Sequence, residues 1–239
     1  MSFAENFAQI QERMHDAARR AGRSPEEVRL IAVSKTKPVS QLEEAIAAGQ
    51  RVFGENRVQE ALEKREALRS VPEVEWHLIG HLQKNKAKFC PGNFQWVHSI
   101  DSEDLARRLH ERTAAWAAAY ELPSDESLLN VLIQLNISDE ESKSGLQEDA
   151  ALRSLAEFIA TSCPSLRLRG LMCIPAPDLG ELRTRQAFAQ VREALEQLRS
   201  QLGPEGLTEL SMGMTADFEW AVLEGSTMVR VGSALFGAR

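Results

Sequence analysis

Thiols, phenols and positive charge are scarce in this chain, and each scarcity excludes something. Three cysteines, Cys90, Cys163 and Cys173, are odd in number and widely spaced, which argues against a disulfide framework and for a reducing compartment. The formal net charge is −7, so no broad basic surface for duplex nucleic acid or anionic membrane is expected. Long apolar runs are missing too. The most apolar stretch, 128–137, is interrupted by Asn130, Gln134 and Asn136 and is too short to span a bilayer. Met1 to Phe7 show no basic segment leading into an apolar one, so a secretory signal is not expected and the cytoplasm is. No linker, repeat or low-complexity segment divides the chain. The turn Ser34-Lys35-Thr36-Lys37-Pro38 contains no glycine, which makes a dinucleotide-binding fingerprint there improbable.

What remains is an ordinary globular composition, 43% hydrophobic and 26% charged over 239 residues, arranged as alternating strands and helices. A charged amphipathic helix over 3–20 comes first. Strands are expected at 29–35, 52–54, 75–79, 95–100, 128–137, 166–173, 207–211 and 227–231. Helices are expected at 39–48, 56–69, after Gly80, from Asp101 or Ser102 to about Tyr120, ending near Ser162, at 181–201 and at 216–223. Eight such alternations predict one (β/α)8 barrel over 1–239 with an extra N-terminal helix. A doubly wound open sheet is the alternative and would need a topological switch.

In a barrel, chemistry sits at the carboxyl ends of the strands. Alternation along Ile31, Val33 and Lys35 carries the lysine inward as the first strand runs out. An amine held there loses part of its water and becomes a nucleophile toward aldehydes; the plainer alternative is a lysine that snorkels to solvent. After strand seven, Ser211-Met212-Gly213-Met214-Thr215 offers hydroxyls, a close backbone approach and a helix start. Strand eight ends in Arg230-Val231-Gly232-Ser233. Loops seven and eight of such barrels often hold a phosphate. Amine and phosphate site together describe a ligand with a phosphate and an electrophilic carbon.

The strings LIAVSKTKP, VFGENRVQE, WHLIGHLQKNK, SMGMTADFEWAV and GSTMVRVGSALFG closely resemble the cytoplasmic pyridoxal 5′-phosphate (PLP) homeostasis proteins of the YggS/PROSC type. The resemblance implies a barrel like the N-terminal domain of alanine racemases, with PLP held as a Schiff base on Lys35. It further implies Arg230 against the pyridine nitrogen, Gly232 against the phosphate, and Ser211, Met212, Gly213 and Thr215 as phosphate ligands. Asn56, at the end of strand two, is expected to line the cofactor face.

A cationic arginine at the ring nitrogen disfavours ring protonation and weakens the electron sink. Tyr120, the one tyrosine, is poorly placed as a second base, and no further domain after strand eight is expected to supply another. The expectation is therefore a monomeric PLP carrier that meets apo PLP-dependent enzymes transiently and does little catalysis. A narrow-scope racemase or lyase and a cofactor-free Schiff-base aldolase are the alternatives. His81 and Lys143 are secondary candidates at the pocket. The His77–His81 spacing is that of a helical metal pair, but Gly80 and the strand character of 75–79 break it, so no metal is expected.

Overall fold

In the computed structural model, residues 2–123, 127–137, 145–146, 149–176, 178–203 and 205–237 are described. Helix α1 (Phe3–Arg20) precedes eight strands: β1 (Arg29–Val33), β2 (Val52–Glu55), β3 (Glu75–Leu78), β4 (Trp96–Ile100), β5 (Leu129–Leu135), β6 (Leu166–Cys173), β7 (Glu209–Ser211) and β8 (Met228–Val231). They alternate with α2 (Val39–Ala47), α3 (Val58–Ala67), α4 (Glu103–Ala119), α5 (Asp149–Ser162), α6 (Gly180–Leu202) and α7 (Phe218–Leu223), and α8 (Ser233–Phe236) follows β8. All strand pairs are parallel and β1 pairs with β8, closing the barrel. The predicted (β/α)8 architecture with one extra helix is what the structure has.

Each strand sorts its side chains by alternation. Inside, Ile31, Trp96, Leu132, Met172 and Met228 form a separate apolar layer. Outside, residues such as Phe53, Val97, Ile133 and Leu171 join the larger core beneath the helices. α1 turns Ile10, Met14, Ala17 and Ala18 inward, and Phe3 packs on Phe236 with ring centroids 5.0 Å apart. Ser2 and Glu5 close its first turn as a reciprocal capping box. No helix among the described residues is long and apolar enough to cross a membrane.

Three local differences from the sequence expectation have physical causes. The first strand stops at Val33, short of Lys35. Ser34 still donates its N–H to Gly54, but its carbonyl accepts from Lys37 N–H at 3.0 Å and from Lys64 Nζ at 2.7 Å, which ends the ladder. The segment after Gly80 winds as a 3₁₀ helix over Lys84–Phe89 rather than an α-helix. The fifth strand is trimmed to Leu129–Leu135.

β6 carries a bulge: Val131 aligns with Leu168 and Leu132 with Gly170, leaving Arg169 as the extra residue. Gly170 takes φ +152°, and a Cβ there would lie 1.9 Å from the Glu209 carbonyl oxygen on β7. Gly170→Ala should therefore cost roughly 3 kcal/mol in urea unfolding. Gly22→Ala, at φ +69° in open space, should cost about 1 kcal/mol. Equal costs at the two positions would show that the bulge yields.

Candidate functional site

A cavity of about 440 Å³ opens at the carboxyl end of the barrel. Lys35, Thr36, Lys37, Asn56, Thr215, Arg230, Gly232 and Ser233 line it, with Val33, Ile79 and Ile174 as apolar wall. Two lysines face it, and they differ. Lys37 Nζ donates to the carbonyls of Phe236 and Gly237 at 3.3 and 3.1 Å. Among the described residues, Lys35 Nζ donates to no acceptor, which leaves that amine available to a ligand.

The turn that presents Lys35 is strained and tied down. Thr36 sits at φ +64°, a region a β-branched residue enters at a cost of order 1–3 kcal/mol. Beneath it lies Lys64 of α3, whose side chain is 6% exposed. Its three N–H groups go to Ser34 O, Glu55 Oε1 and Glu60 Oε1, each at 2.7 Å. Ser34 Oγ also donates to Glu55 Oε1, and Thr36 N–H donates to Glu60 Oε1. Glu55 is fully buried and its second oxygen has no partner among the described residues. Burial pushes its carboxyl above the usual range, against the pull of Lys64 and Ser34.

Arg230 stands on β8 directly beside β1, in register with Ile31, and is 3% exposed. It donates to Ser211 O and Oγ, both at 2.6 Å, and to Cys173 O at 2.9 Å. That uses three of a guanidinium's five N–H hydrogens and leaves donors for the cavity. Below it a single file of polar groups crosses the barrel. His98 Nδ1 lies 3.0 Å from Ser211 Oγ, His98 Nε2 lies 2.8 Å from His77 Nδ1, and His77 Nε2 lies 2.8 Å from Glu75 Oε1.

The ends of this file fix its protons. Arg230 can only donate, and the Glu75 carboxylate, held below its usual range against burial by His77 and Arg29, can only accept. His77 must then donate from Nε2, His98 from Nε2, and Ser211 from Oγ. Both histidines are neutral in this arrangement. Burial lowers each, and the Arg230 and Arg29 charges add to burial in holding His98 well below the usual histidine range.

At the far side of the cavity Ser233 Oγ donates to Thr215 Oγ1 at 3.3 Å. The amides of Thr215, Ala216 and Ser233 donate to no acceptor among the described residues. Hydroxyls and open N–H groups converging on one spot make an anion site. Gly213 shapes the turn behind it: its φ is +89°, and a Cβ would meet that of Ala221 at 2.6 Å.

The structure thus brings together Lys35, Asn56, Thr215, Arg230 and Gly232, as the sequence predicts. Three expected phosphate ligands stand elsewhere. Ser211 faces into the barrel, in register with Met228, its hydroxyl committed to Arg230 and His98. Met212 is fully buried in the main core, and Gly213 is buried behind the turn. None of the three lines the cavity; Ala216 and Ser233 do. His81 is exposed, 3.7 Å from Asp101, and borders a neighbouring polar groove with Asn56 and Lys86. Lys143 lies outside the described residues. No group of three or more His, Cys, Asp or Glu residues that could hold a metal occurs among the described residues.

Lys64 and His98 are neighbours of the site that motif reasoning passes over, and His77 enters it only as half of a metal pair. A signal for Lys64 does exist, because it falls on the buried stripe Val58, Ala61, Lys64, Leu68, where a lysine needs a partner.

The model of the alanine racemase N-terminal domain family matches residues 5–239. The pyridoxal phosphate homeostasis protein of Escherichia coli K12 is 48% identical over 238 residues, covering 99% of this chain and 96% of that one. The protein of the same name from Pseudomonas aeruginosa PAO1 is 48% identical over 238 residues, covering 100% and 96%. The chain belongs to the pyridoxal phosphate homeostasis protein family. Among solved structures, PipY of Synechococcus elongatus with PLP bound superposes at a TM-score of 0.83 with 37% identity, covering 99% of this chain and 100% of that one. An alanine racemase from Corynebacterium glutamicum, 18% identical at a TM-score of 0.66, shares the fold over 96% of this chain and 60% of its own.

The neutral histidine file makes this family member's stability depend on pH. An unfolded chain protonates His77 and His98 below about pH 6.5, while the folded barrel resists. Stability is therefore complete above that pH and is lost on acidification, by up to about 1.4 kcal/mol per pH unit per histidine. His98→Asn should be less stable near neutrality, yet lose stability less steeply between about pH 6.5 and 5. Urea midpoints across that range test it. Glu55 titrates in the opposite sense but is common to both proteins and cancels in the difference, so parallel curves would exclude the assignment.

Proposed function

We propose that this chain binds PLP covalently at Lys35 and serves as a carrier or buffer in PLP homeostasis rather than as an enzyme. One observation carries the reading: an amine without a partner among the described residues, a buried guanidinium with spare donors, and a hydroxyl-and-amide anion site all face one cavity. The donor set fits PLP group by group. Lys35 suits an aldehyde, Thr215 and Ser233 with the open amides suit a phosphate, Arg230 suits a pyridine lone pair, and Val33, Ile79 and Ile174 suit the faces of a ring. The size fits as well, since cofactor pockets fall in the range of several hundred Å³. PLP supplies the aldehyde, whose oxygen leaves as water as Lys35 Nζ gives up two hydrogens and a carbon–nitrogen double bond forms.

The non-catalytic part of the reading rests on Arg230 and on what faces it. Its guanidinium is clamped by Ser211 and Cys173, and burial lowers its pKa only against Cys173 and Asp217. A cation fixed at a ring nitrogen opposes protonation of that nitrogen, so electrons from a breaking bond find a weaker sink. Among the described residues, the cavity wall offers no carboxylate, histidine or tyrosine as a second proton carrier. Tyr120 caps the carboxyl end of α4, which leads into the opposite end of the barrel, and is 69% exposed.

The exposed rim formed by Thr36, Met214 and Ala216 lets a ligand leave without unfolding the barrel. This supports transfer of PLP to apo-enzymes in transient contact, the carrier itself being read as a cytoplasmic monomer of one domain.

Added PLP should give the wild-type protein a visible absorption band that borohydride fixes to Lys35, and Lys35→Ala should show neither. A Lys35→Ala protein that is still labelled would move the covalent site, and a colourless wild type would remove the cofactor. Incubation of loaded protein with a panel of amino acids in D₂O should give no deuterium at Cα by mass spectrometry; steady incorporation would establish an enzyme.

A further inference from the structure

Lys35 is held on both sides by a single buried cation. Ser34 is tied through its carbonyl to Lys64 Nζ and through its hydroxyl to Glu55; Thr36 is tied through its amide to Glu60. Both glutamates close on the same Lys64 amine. The only residue between these two anchors is Lys35. A buried ion pair adds little net stability, because the loss of hydration offsets the attraction. What this one supplies is geometry. A β-branched residue at φ +64° persists only where its surroundings overdetermine the backbone, and the bonds to Ser34 and Thr36 do so from below. They leave the lysine side chain facing the cavity while the peptide groups beside it are bound away from it.

We infer that Lys64, acting through Glu55 and Glu60, is a positioning residue that sets the Lys35 amine for covalent capture of the ligand aldehyde. It does not line the cavity and touches neither the anion site nor Arg230. Its removal should therefore separate two quantities that a general loss of structure would lower together. Binding of PLP through its phosphate and ring contacts persists; the rate of bond formation at Lys35 falls. The inference rests on Lys35 being the covalent site.

The test uses full-length Lys64→Met, Glu60→Gln and Lys35→Ala beside wild type. Total bound PLP is read by equilibrium dialysis, and covalent capture by stopped-flow absorbance with borohydride trapping. Lys64→Met should capture about tenfold more slowly, the scale expected for a reacting atom displaced by a fraction of an ångström, with total binding within about twofold. Glu60→Gln, whose side chain is partly exposed, keeps the fold safe should Lys64→Met fail to fold, and should slow capture severalfold on the same grounds. Capture at the wild-type rate in folded Lys64→Met, or in Glu60→Gln where that is the variant that folds, overturns the positioning role. Equal loss of binding and capture overturns it too, in favour of a purely structural one. Lys35→Ala that remains trappable by borohydride overturns the covalent site itself, which keeps the two failures apart.

Discussion

Closure of the first strand on the last is the constraint on which the site depends. Ile31 pairs with Arg230 and Ala32 with Val231, so the end of β1 and the end of β8 emerge side by side, although nearly the whole chain lies between them. Without that pairing, the Lys35 amine and the Arg230 guanidinium would share no cavity. Closure also turns alternation into a division of labour. One face of every strand is committed to the helices and the other to a narrow interior, and each polar residue placed inward must find its partner across a few ångströms of protein.

The interior meets that demand in two layers. Ile31, Trp96, Leu132, Met172 and Met228 fill one in the usual apolar way. Beside them Glu75, His77, His98, Ser211 and Arg230 form a continuous donor–acceptor file, His77 stacking on Trp96 at 5.5 Å. Such a chain is directional. Because one end can only give and the other only take, no link can reverse, and a proton added to either histidine would place two donors against each other. Arg230 is thus oriented from beneath by a structure that tolerates one protonation pattern.

Much of this was legible in the sequence. Eight alternations gave the barrel, and the period of two along Ile31, Val33 and Lys35 put the amine inside. Thr215, Arg230 and Gly232 followed from their place at strand ends. Other features were hidden because they depend on register. Ser211 reads as a phosphate ligand in its motif, yet its pairing with Met228 sets it at the level of the inner apolar layer, below the mouth. Lys64 reads as one charge among many on the helix expected at 56–69, and Glu55 as a residue just past the second strand. Only the packing of α3 against β2 shows that they face each other out of water. His77 carries only the spacing of a broken metal pair and His98 no motif at all, since its partner Ser211 comes from a strand distant in the chain.

The buried thiols bear on selectivity. Cys173 ends β6 at the mouth, its carbonyl holding Arg230, yet its sulfur is fully buried and burial pushes the thiol up to about 12; Cys90 is in the same state. A thiolate is a strong nucleophile, and beside an aldehyde it would compete with the amine for the same carbon. Keeping Cys173 protonated and out of reach leaves the cavity, among the described residues, with one open nucleophile. The barrel wall thus acts as a chemical filter: it decides which atom of the protein an aldehyde can meet, as firmly as the cavity decides which aldehyde can enter.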